Sequence, residues 1–534
     1  MQDAHVLQVL VVVLLAVIVL SRVAKWLNVP APIVLLLGGV PLAFVPWTSE
    51  VTLPPEVVLL LFLPALLYWE SLTTSLREIR ANLRVVVLSS VVLVLVTAGV
   101  VAVVGHALGL SWPVAWVLGA VVAPTDATAV AAVAKGMPRR TLTTLRAESL
   151  INDGTALVVF AIAVSVATGE QAFSWPSALG QFGLSYIGGA LAGLGVAWLA
   201  GHARRIAKDT LLENGISILT PFAAFLLAEE VHASGVLAVV VCGLALSQVG
   251  PRTVSARTRL QARAFWQLTT FLLNGTLFVL VGMQLRSALG ALESYSLAEG
   301  LFDALLVALA VIGTRLLWSN TTPYLIRALD RRPAQRLRRV GARQRLANSW
   351  AGFRGGVSLA AALAVPTVLV DGTPFPGRDL IIVVTFGVIA VTLLVQGLTL
   401  PAVLRFARLP VDTAEAAEEA LAHRVATEAG LAALPQTAAR LDIVDEAAAR
   451  VRADYEDHLH DLTDPSGPGV DDTPTPERVE REDYQRLRAA LLADKRAAVV
   501  ALRDAGKIDD IVLRRVQAGL DAEEVRLAGA ADVE

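Results

Sequence analysis

Three oxygen-bearing side chains lie close together in an apolar stretch of the chain. Glu148, Asn152 and Asp153 occur in the segment R-A-E-S-L-I-N-D-G-T-A-L-V-V-F, residues 146–160. On a helix, residues four and five positions apart fall on nearly one face, so these side chains can point toward a common centre. A carboxylate in hydrocarbon costs several kcal/mol unless it is paired, protonated or bound to a cation. The segment therefore indicates a buried carboxylate in one of these three states.

The composition indicates the surroundings of this segment. Of the 534 residues, 55% are hydrophobic and 17% are charged, and the mean hydropathy of +0.62 excludes an ordinary soluble globular protein. The net charge of −2 is the sum of two unequal parts. Residues 1–410 hold 30 Lys and Arg against 19 Asp and Glu, whereas residues 411–534 hold 15 against 28. We therefore expect a transmembrane domain over 1–410 and an acidic, mainly helical cytoplasmic domain over 411–534, with a linker near 461–477.

Apolar stretches that can cross a membrane core of about 30 Å recur along the first domain. The first is predicted to be retained as a span, because the residues before it lack the basic region of a cleavable signal. The sequence predicts about thirteen spans, near residues 6–21, 31–46, 56–70, 85–108, 113–134, 147–168, 179–202, 211–229, 233–250, 265–285, 299–328, 349–370 and 379–404.

The loops between these spans differ sharply in charge. Alternate loops hold 24 basic residues on one side, whereas the opposite loops hold only Arg286 and Arg378. Basic loops face the cytoplasm in membrane proteins. The N-terminus is therefore predicted to lie outside, with the acidic tail in the cytoplasm.

Two spans are predicted to be broken at mid-membrane. Pro124 removes a backbone hydrogen bond from span 5, where Thr125, Asp126 and Thr128 supply oxygen atoms. A proline kink with a snorkelling Asp126 is the alternative. Arg354 in span 12 lies among glycines that loosen the helix, and it can balance helix ends and carboxylates. Breaks seven spans apart, in helices of opposite direction, suit two inverted repeats with two discontinuous crossing helices. The glycines of span 12 are Gly352, Gly355 and Gly356.

Three further residues complete the predicted buried polar set. Arg315 in span 11 is the obvious mid-membrane partner for Glu148, and such a pair would be structural. Glu70, at the end of span 3, is either an ion-access residue or a snorkelling carboxylate. Small residues in span 7 permit close packing, either across a dimer or within one bundle. They are Gly188, Gly189, Gly193 and Gly195.

These residues resemble the bacterial Na⁺/H⁺ antiporters of the monovalent cation:proton antiporter-1 family, relatives of the Na⁺/H⁺ exchangers. The resemblance covers residues 1–410 and includes the N-out plan of thirteen spans. Its specific motifs are Pro124-Thr125-Asp126, Glu148-Ser149-Leu150-Ile151-Asn152-Asp153-Gly154 and Gly352-Phe353-Arg354-Gly355-Gly356.

The resemblance implies a role for each motif residue. Asp153 would be the essential ion- and proton-binding carboxylate, and Na⁺ would bind at Asp126, Ser149 and Asp153 with the Thr125 carbonyl. Asn152 would stabilise the point where the two discontinuous helices cross and would contribute to the ion site. Members often have proline after the span-5 aspartate, where this chain has Ala127. The other implied roles are a structural ion pair of Glu148 with Arg315, charge balance by Arg354 and ion access by Glu70.

The expected function is secondary active antiport of Na⁺, or of Li⁺ or K⁺, against H⁺ across a bacterial plasma membrane by alternating access. Carboxylate, hydroxyl, amide and carbonyl oxygens suit a hard cation, and a proton would compete for the same carboxylates. The Asn-Asp pattern resembles that of electroneutral members, and the family implies a homodimer. A K⁺-selective antiporter is the alternative, followed by a cation channel or uniporter. No catalytic motif is visible, so we expect no enzyme activity, no cofactor and no nucleic-acid partner.

Overall fold

The computed structural model describes residues 2–45, 58–134, 137–290, 297–329, 341–409, 414–443, 445–463 and 478–531. Nearly all of this part of the chain is helical, and an isolated bridge between Val368 and Pro374 is its one strand-like pairing. The predicted all-α class is confirmed.

The helices follow the apolar segments closely. Short π-helical turns at Val58–Phe62, Leu88–Val92 and Thr392–Gln396 continue into neighbouring helices. Up to residue 409 the helices are α1 (Gln2–Leu27), α2 (Ala31–Leu42), α3 (Leu63–Thr73), α4 (Leu76–Ala81), α5 (Leu83–Val87), α6 (Leu93–Ala107), α7 (Trp112–Val122), α8 (Ala127–Val133), α9 (Arg139–Thr168), α10 (Trp175–Ala207), α11 (Thr210–Glu230), α12 (Gly235–Thr253), α13 (Ala256–Gly290), α14 (Leu297–Leu329), α15 (Ala342–Trp350), α16 (Gly356–Leu363), α17 (Arg378–Val391) and α18 (Gly397–Ala407).

Ten helical stretches within the described residues are long and apolar enough to cross a membrane. The predicted second and third spans correspond to the shorter apolar helices Ala31–Leu42 and Leu59–Thr73. The predicted twelfth span is divided between α15 and α16. A polytopic helical membrane domain is therefore confirmed, and the count of thirteen spans stays a prediction.

The membrane helices pack as two bodies. Helices α6, α7, α9 and α14–α18 form one, the core body, whose apolar interior includes Val117, Val307 and Ile381. Helices α1–α3 and α10–α13 form the other, the scaffold body, with Tyr68 and Trp266 in its interior. Helix α8 joins the apolar cluster where the two bodies meet.

Small residues allow close approach of helices inside the scaffold body. A Cβ atom at Gly189 would lie 2.6 Å from the carbonyl oxygen of Ser234, and one at Gly193 would overlap the carbonyl oxygen of Ala238. These glycines of span 7 therefore pack α10 against α12 within the chain, as bundle packing requires. Gly195 has no atom within 4 Å of such a Cβ.

The described part of the tail consists of four helices with apolar interiors of their own. They are α19 (Ala414–Leu441), α20 (Asp445–Thr463), α21 (Arg478–Asp504) and α22 (Asp510–Ala531). Helical periodicity predicts seven buried positions in the last two helices, and Ile511 is only half-buried while its neighbour Val512 is fully buried. Of the predicted linker, residues 461–463 still belong to α20, and residues 464–477 lie outside the described part of the chain. The other six predicted positions, Leu487, Leu491, Leu492, Val499, Leu502 and Leu513, are buried.

The tail binds the basic loops of the membrane domain. The Glu418 carboxylate lies 3.1 Å from a guanidinium nitrogen of Arg77 and 3.1 Å from one of Arg139. Asp509 accepts hydrogen bonds from Ser75 Oγ at 2.6 Å and from Arg77 Nε at 3.2 Å. Burial disfavours the charged form of Glu418, but hydrogen bonds from Arg139, the Asp509 N–H and Arg77 hold the pKa of Glu418 below its ordinary value. The acidic tail and the basic loops therefore lie on one face of the protein.

Candidate functional site

Residues 123–126 are non-helical and separate α7 from α8. Pro124 has no N–H to donate, so the α-helical ladder stops there. Asp126 then caps α8, because its Oδ1 accepts hydrogen bonds from the N–H of Thr128 at 2.8 Å and of Ala129 at 3.2 Å. The aspartate thereby offsets the positive end of the α8 dipole.

A second non-helical segment, residues 351–355, separates α15 from α16 and carries the fully buried Arg354. Arg354 Nε donates to the carbonyl oxygen of Val122 at 3.1 Å, and Nη2 donates to that of Ala123 at 3.4 Å. Its Nη1 donates to the carbonyl oxygen of Gly352. The last carbonyl groups of a helix lack partners within the helix and carry partial negative charge. Arg354 therefore supplies both hydrogen bonds and a compensating positive charge at the carboxyl end of α7.

The two breaks are in direct contact. The N–H of Asp126 donates to the carbonyl oxygen of Phe353 at 2.8 Å. Gly355 lies so close to the Asp126 carboxylate that a Cβ atom there would overlap it. Two interrupted helices, more than 200 residues apart in the chain, thus build one centre.

Helix α9 reaches the same centre through its polar residues. Ser149 Oγ donates to the carbonyl oxygen of Thr125 at 2.9 Å and accepts from the N–H of Ala127 at 3.2 Å. Asn152 Nδ2 donates to Thr125 Oγ1 at 2.7 Å. These bonds fix the unwound backbone of the first break against α9.

Glu148 and Arg315 form a buried ion pair beside this centre. Arg315 Nη1 lies 2.5 Å from Glu148 Oε1, and the two side chains are 6% and 7% exposed respectively. Neither residue lines the cavity described next.

A cavity of about 40 Å³ lies where the two bodies meet. Three carboxylates line it: Glu70 of the scaffold body, and Asp126 and Asp153 of the core body. Asp153 is 5% exposed, and its carboxylate accepts no hydrogen bond from any residue that the structure describes. The space suits one water molecule or a cation that has lost most of its water. Ser149 also lines this cavity, whereas Asn152 does not.

Two polar residues at this cavity are absent from the predicted set. Asn274 of α13 and Ser358 of α16 both line it. Each is a polar residue inside an apolar run, N within F-L-L-N-G-T-L and S within G-G-V-S-L-A-A. That signal is visible in the sequence, but the prediction followed charged residues and the three motifs.

A larger cavity of about 900 Å³ lies between α1, α8, α13 and α18. The described residues that line it include no carboxylate but do include Lys25, Arg405 and Arg408. A cavity with this charge is a poor cation site, so the smaller cavity is the candidate.

Comparisons with known proteins identify the family of the chain. The family model described as "Sodium/hydrogen exchanger, transmembrane" matches residues 10–406. An uncharacterized Na⁺/H⁺ exchanger of Mycobacterium tuberculosis is 48% identical over 531 residues, covering 99% of this chain and 97% of the relative. The Na⁺/H⁺ antiporter ApNhaP of Aphanothece halophytica is 33% identical over 79% of this chain and 78% of its own length.

The fold is shared with a solved structure. The sodium proton antiporter MjNhaP1 of Methanocaldococcus jannaschii aligns with a TM-score of 0.60 at 20% identity, over 77% of this chain and 100% of that one. At this identity the likeness concerns the helical architecture.

Proposed function

The chain belongs to the sodium/hydrogen exchanger family, and we propose that it exchanges Na⁺ for H⁺ across a bacterial plasma membrane by alternating access. One observation carries the proposal. The Asp153 carboxylate faces a cavity of about 40 Å³ and has no hydrogen-bond donor among the described residues. A buried carboxylate in that state needs a proton or a cation to offset its charge.

Competition for the carboxylates couples the two fluxes. Oδ1 of Asp126 is engaged in capping α8, so Asp153 is the freer of the two ligands. Na⁺ prefers hard oxygen ligands, and the cavity offers carboxylate oxygens together with the Ser149 hydroxyl. A proton on Asp153 removes the negative charge that binds the cation, so the site carries one or the other.

The position of the cavity supports alternating access. Glu70 reaches it from the scaffold body, and Asp126 and Asp153 reach it from the core body. Movement of the core body past the scaffold body would expose the site to one side of the membrane and then to the other. Glu70 serves in this scheme as the ion-access residue.

The neighbourhood of Asp153 supports electroneutral exchange. The preceding residue is Asn152, whose amide binds Thr125 Oγ1 and cannot carry a second proton across. One carboxylate that alternates between Na⁺ and H⁺ moves one positive charge in each direction. We accordingly propose a stoichiometry of one to one.

Orientation and assembly complete the proposal. The basic loops that contact the tail are assigned to the cytoplasm, which places the N-terminus outside. The protein is proposed to act as a homodimer, as its family resemblance implies. Cross-linking of single-cysteine variants in membranes tests the dimer, and labelling of N-terminal cysteines from outside tests the orientation.

Transport by purified protein in liposomes tests the function. An inward Na⁺ gradient should drive H⁺ outward in the wild type, with the same rate whether the membrane potential is clamped or free. Asp153→Asn should abolish exchange while the protein still folds and inserts, because the amide cannot alternate between Na⁺ and H⁺. Glu230→Gln removes an exposed carboxylate that does not line the cavity and serves as the control. Robust Na⁺-driven H⁺ flux in Asp153→Asn would refute the assignment.

The same assay separates the alternatives. Gradients of Na⁺, Li⁺ and K⁺ rank the transported cations. A channel or uniporter would pass the cation without moving protons stoichiometrically.

A further inference from the structure

Ser358 has a buried hydroxyl group at the candidate cation site that forms no hydrogen bond. It lies in the first turn of α16, is 1% exposed and lines the same cavity as Asp153. Its Oγ has no hydrogen-bond partner among the described residues. Helical serines commonly donate to the carbonyl oxygen four residues earlier. For Ser358 that residue is Arg354, which lies in the non-helical break.

Two other oxygen atoms that line this cavity are already hydrogen-bonded within the protein. Asp126 Oδ1 accepts from the N–H of Thr128 and of Ala129. Ser149 Oγ binds the backbone on both sides of Asp126, as donor to Thr125 and acceptor from Ala127. Buried polar atoms are almost always satisfied. An unsatisfied hydroxyl beside unsatisfied carboxylate oxygens therefore points to a ligand that is shared between them.

The backbone holds Ser358 close to those carboxylates. Gly355, three residues earlier, is packed directly against the Asp126 carboxylate. Gly355 is the N-cap residue of α16 and Ser358 is the third residue of that helix, and both line the cavity. Only glycine permits this approach, because any Cβ atom at position 355 would overlap Asp126.

We propose that Ser358 Oγ is a ligand of the transported cation, either directly or through one water molecule, and that it contributes to affinity and selectivity for the cation. This inference rests on the proposed function. The cation would then be held from both broken spans, by Asp126 of the first and Ser358 of the second, together with Asp153 of α9. A hydroxyl oxygen suits a hard monovalent cation, and it carries no charge that would attract a proton in its place.

A matched pair of hydroxyl deletions tests the assignment. Ser358→Ala removes the hydroxyl at the cavity. Thr385→Val removes another buried hydroxyl of the core body that has no partner among the described residues and does not line the cavity. Ser358→Thr retains the oxygen. Each variant is purified, checked for monodispersity and thermal unfolding, and reconstituted for measurement of KM and kcat with Na⁺ and with Li⁺.

The expected result is a change in KM without a matching change in kcat. Ser358→Ala should raise the KM for Na⁺ about tenfold, the effect of losing one hydrogen-bond-strength interaction with a charged group, and should alter the ratio of KM values for Na⁺ and Li⁺. Ser358→Thr should keep KM near the wild-type value, and Thr385→Val should leave it unchanged.

Three outcomes would overturn the inference. They are an unchanged KM in Ser358→Ala, a fall in kcat at constant KM, and an equal rise of KM in Thr385→Val. Each of these leaves wild-type exchange intact, so it is distinguishable from failure of the proposed function, in which the wild type itself would not couple Na⁺ to H⁺.

Discussion

Removing one member of the Glu148–Arg315 pair should destabilise the membrane domain strongly. Both side chains are less than 10% exposed and their closest nitrogen and oxygen atoms are 2.5 Å apart. Glu148→Ala leaves a buried guanidinium without its counter-charge, and breaking such a pair costs about 3–5 kcal/mol. Gly352 packs directly against the Arg315 side chain, so the guanidinium has little room to move toward water.

A double variant distinguishes the stability that the ion pair contributes from the cost of leaving one buried charge without a partner. Glu148→Leu combined with Arg315→Met replaces both charges by apolar groups of similar size, and should recover most of the loss. As a control, Arg252→Ala breaks the exposed pair with Asp504, in which Arg252 is 59% and Asp504 38% exposed, and should cost about 1 kcal/mol or less.

Unfolding in mixed micelles, with increasing fractions of SDS, measures these free energies. The single variant should show a much lower midpoint than the wild type, and the double variant should lie between the two. The reasoning is refuted if Glu148→Ala costs no more than Arg252→Ala, or if the double variant is no more stable than Glu148→Ala.

The remaining predictions concern the contact between the two helix breaks and the docking of the tail. Gly355→Ala should abolish exchange, because its Cβ atom would overlap the Asp126 carboxylate, whereas Gly215→Ala, at an open helical position, should leave Na⁺-driven H⁺ flux unchanged. The docking of the tail should be weakened as the pH falls through the lowered pKa of Glu418, because a carboxylate with a depressed pKa stabilises the docked state above that pKa and loses the effect on protonation. Limited proteolysis across pH values checks this, and cleavage of Glu418→Gln should depend less on pH than cleavage of the wild type. Truncation after Leu409 should retain exchange in liposomes, since every residue that lines the cavity precedes it; loss of flux from a well-folded truncated protein would contradict this.

Much of the site is visible in the sequence because its signals are local. Asp153 and Glu148 stand out as carboxylates in an apolar segment, and Pro124 marks a break wherever the helix is placed. Arg315 is predictable as the partner of Glu148 because mid-membrane cations are few. Each of these inferences needs only hydropathy, helical spacing and the cost of a buried charge.

Other features depend on packing between distant segments. The sequence predicts Arg77 and Arg139 as topology signals, but their binding of Glu418 requires the tail to fold back over more than 270 residues. Helical periodicity predicts that Ile511 is buried, whereas Val512 is the residue that packs into the interior of the tail. The helices packed around α22 set its rotation about its own axis.

The amino-acid sequence by itself determined a helical membrane protein with two interrupted spans and a carboxylate that must bind a proton or a cation, because burial of charge in an apolar segment leaves few alternatives. Only the tertiary structure decided which oxygens are free to bind. Ser149, a predicted ligand, donates one hydrogen bond and accepts another, which leaves one lone pair for a cation, whereas Ser358, which stands in no predicted set, has no partner within the described chain. Hydrogen-bond satisfaction depends on where the partner helices lie, and neither hydropathy nor helical spacing contains that information.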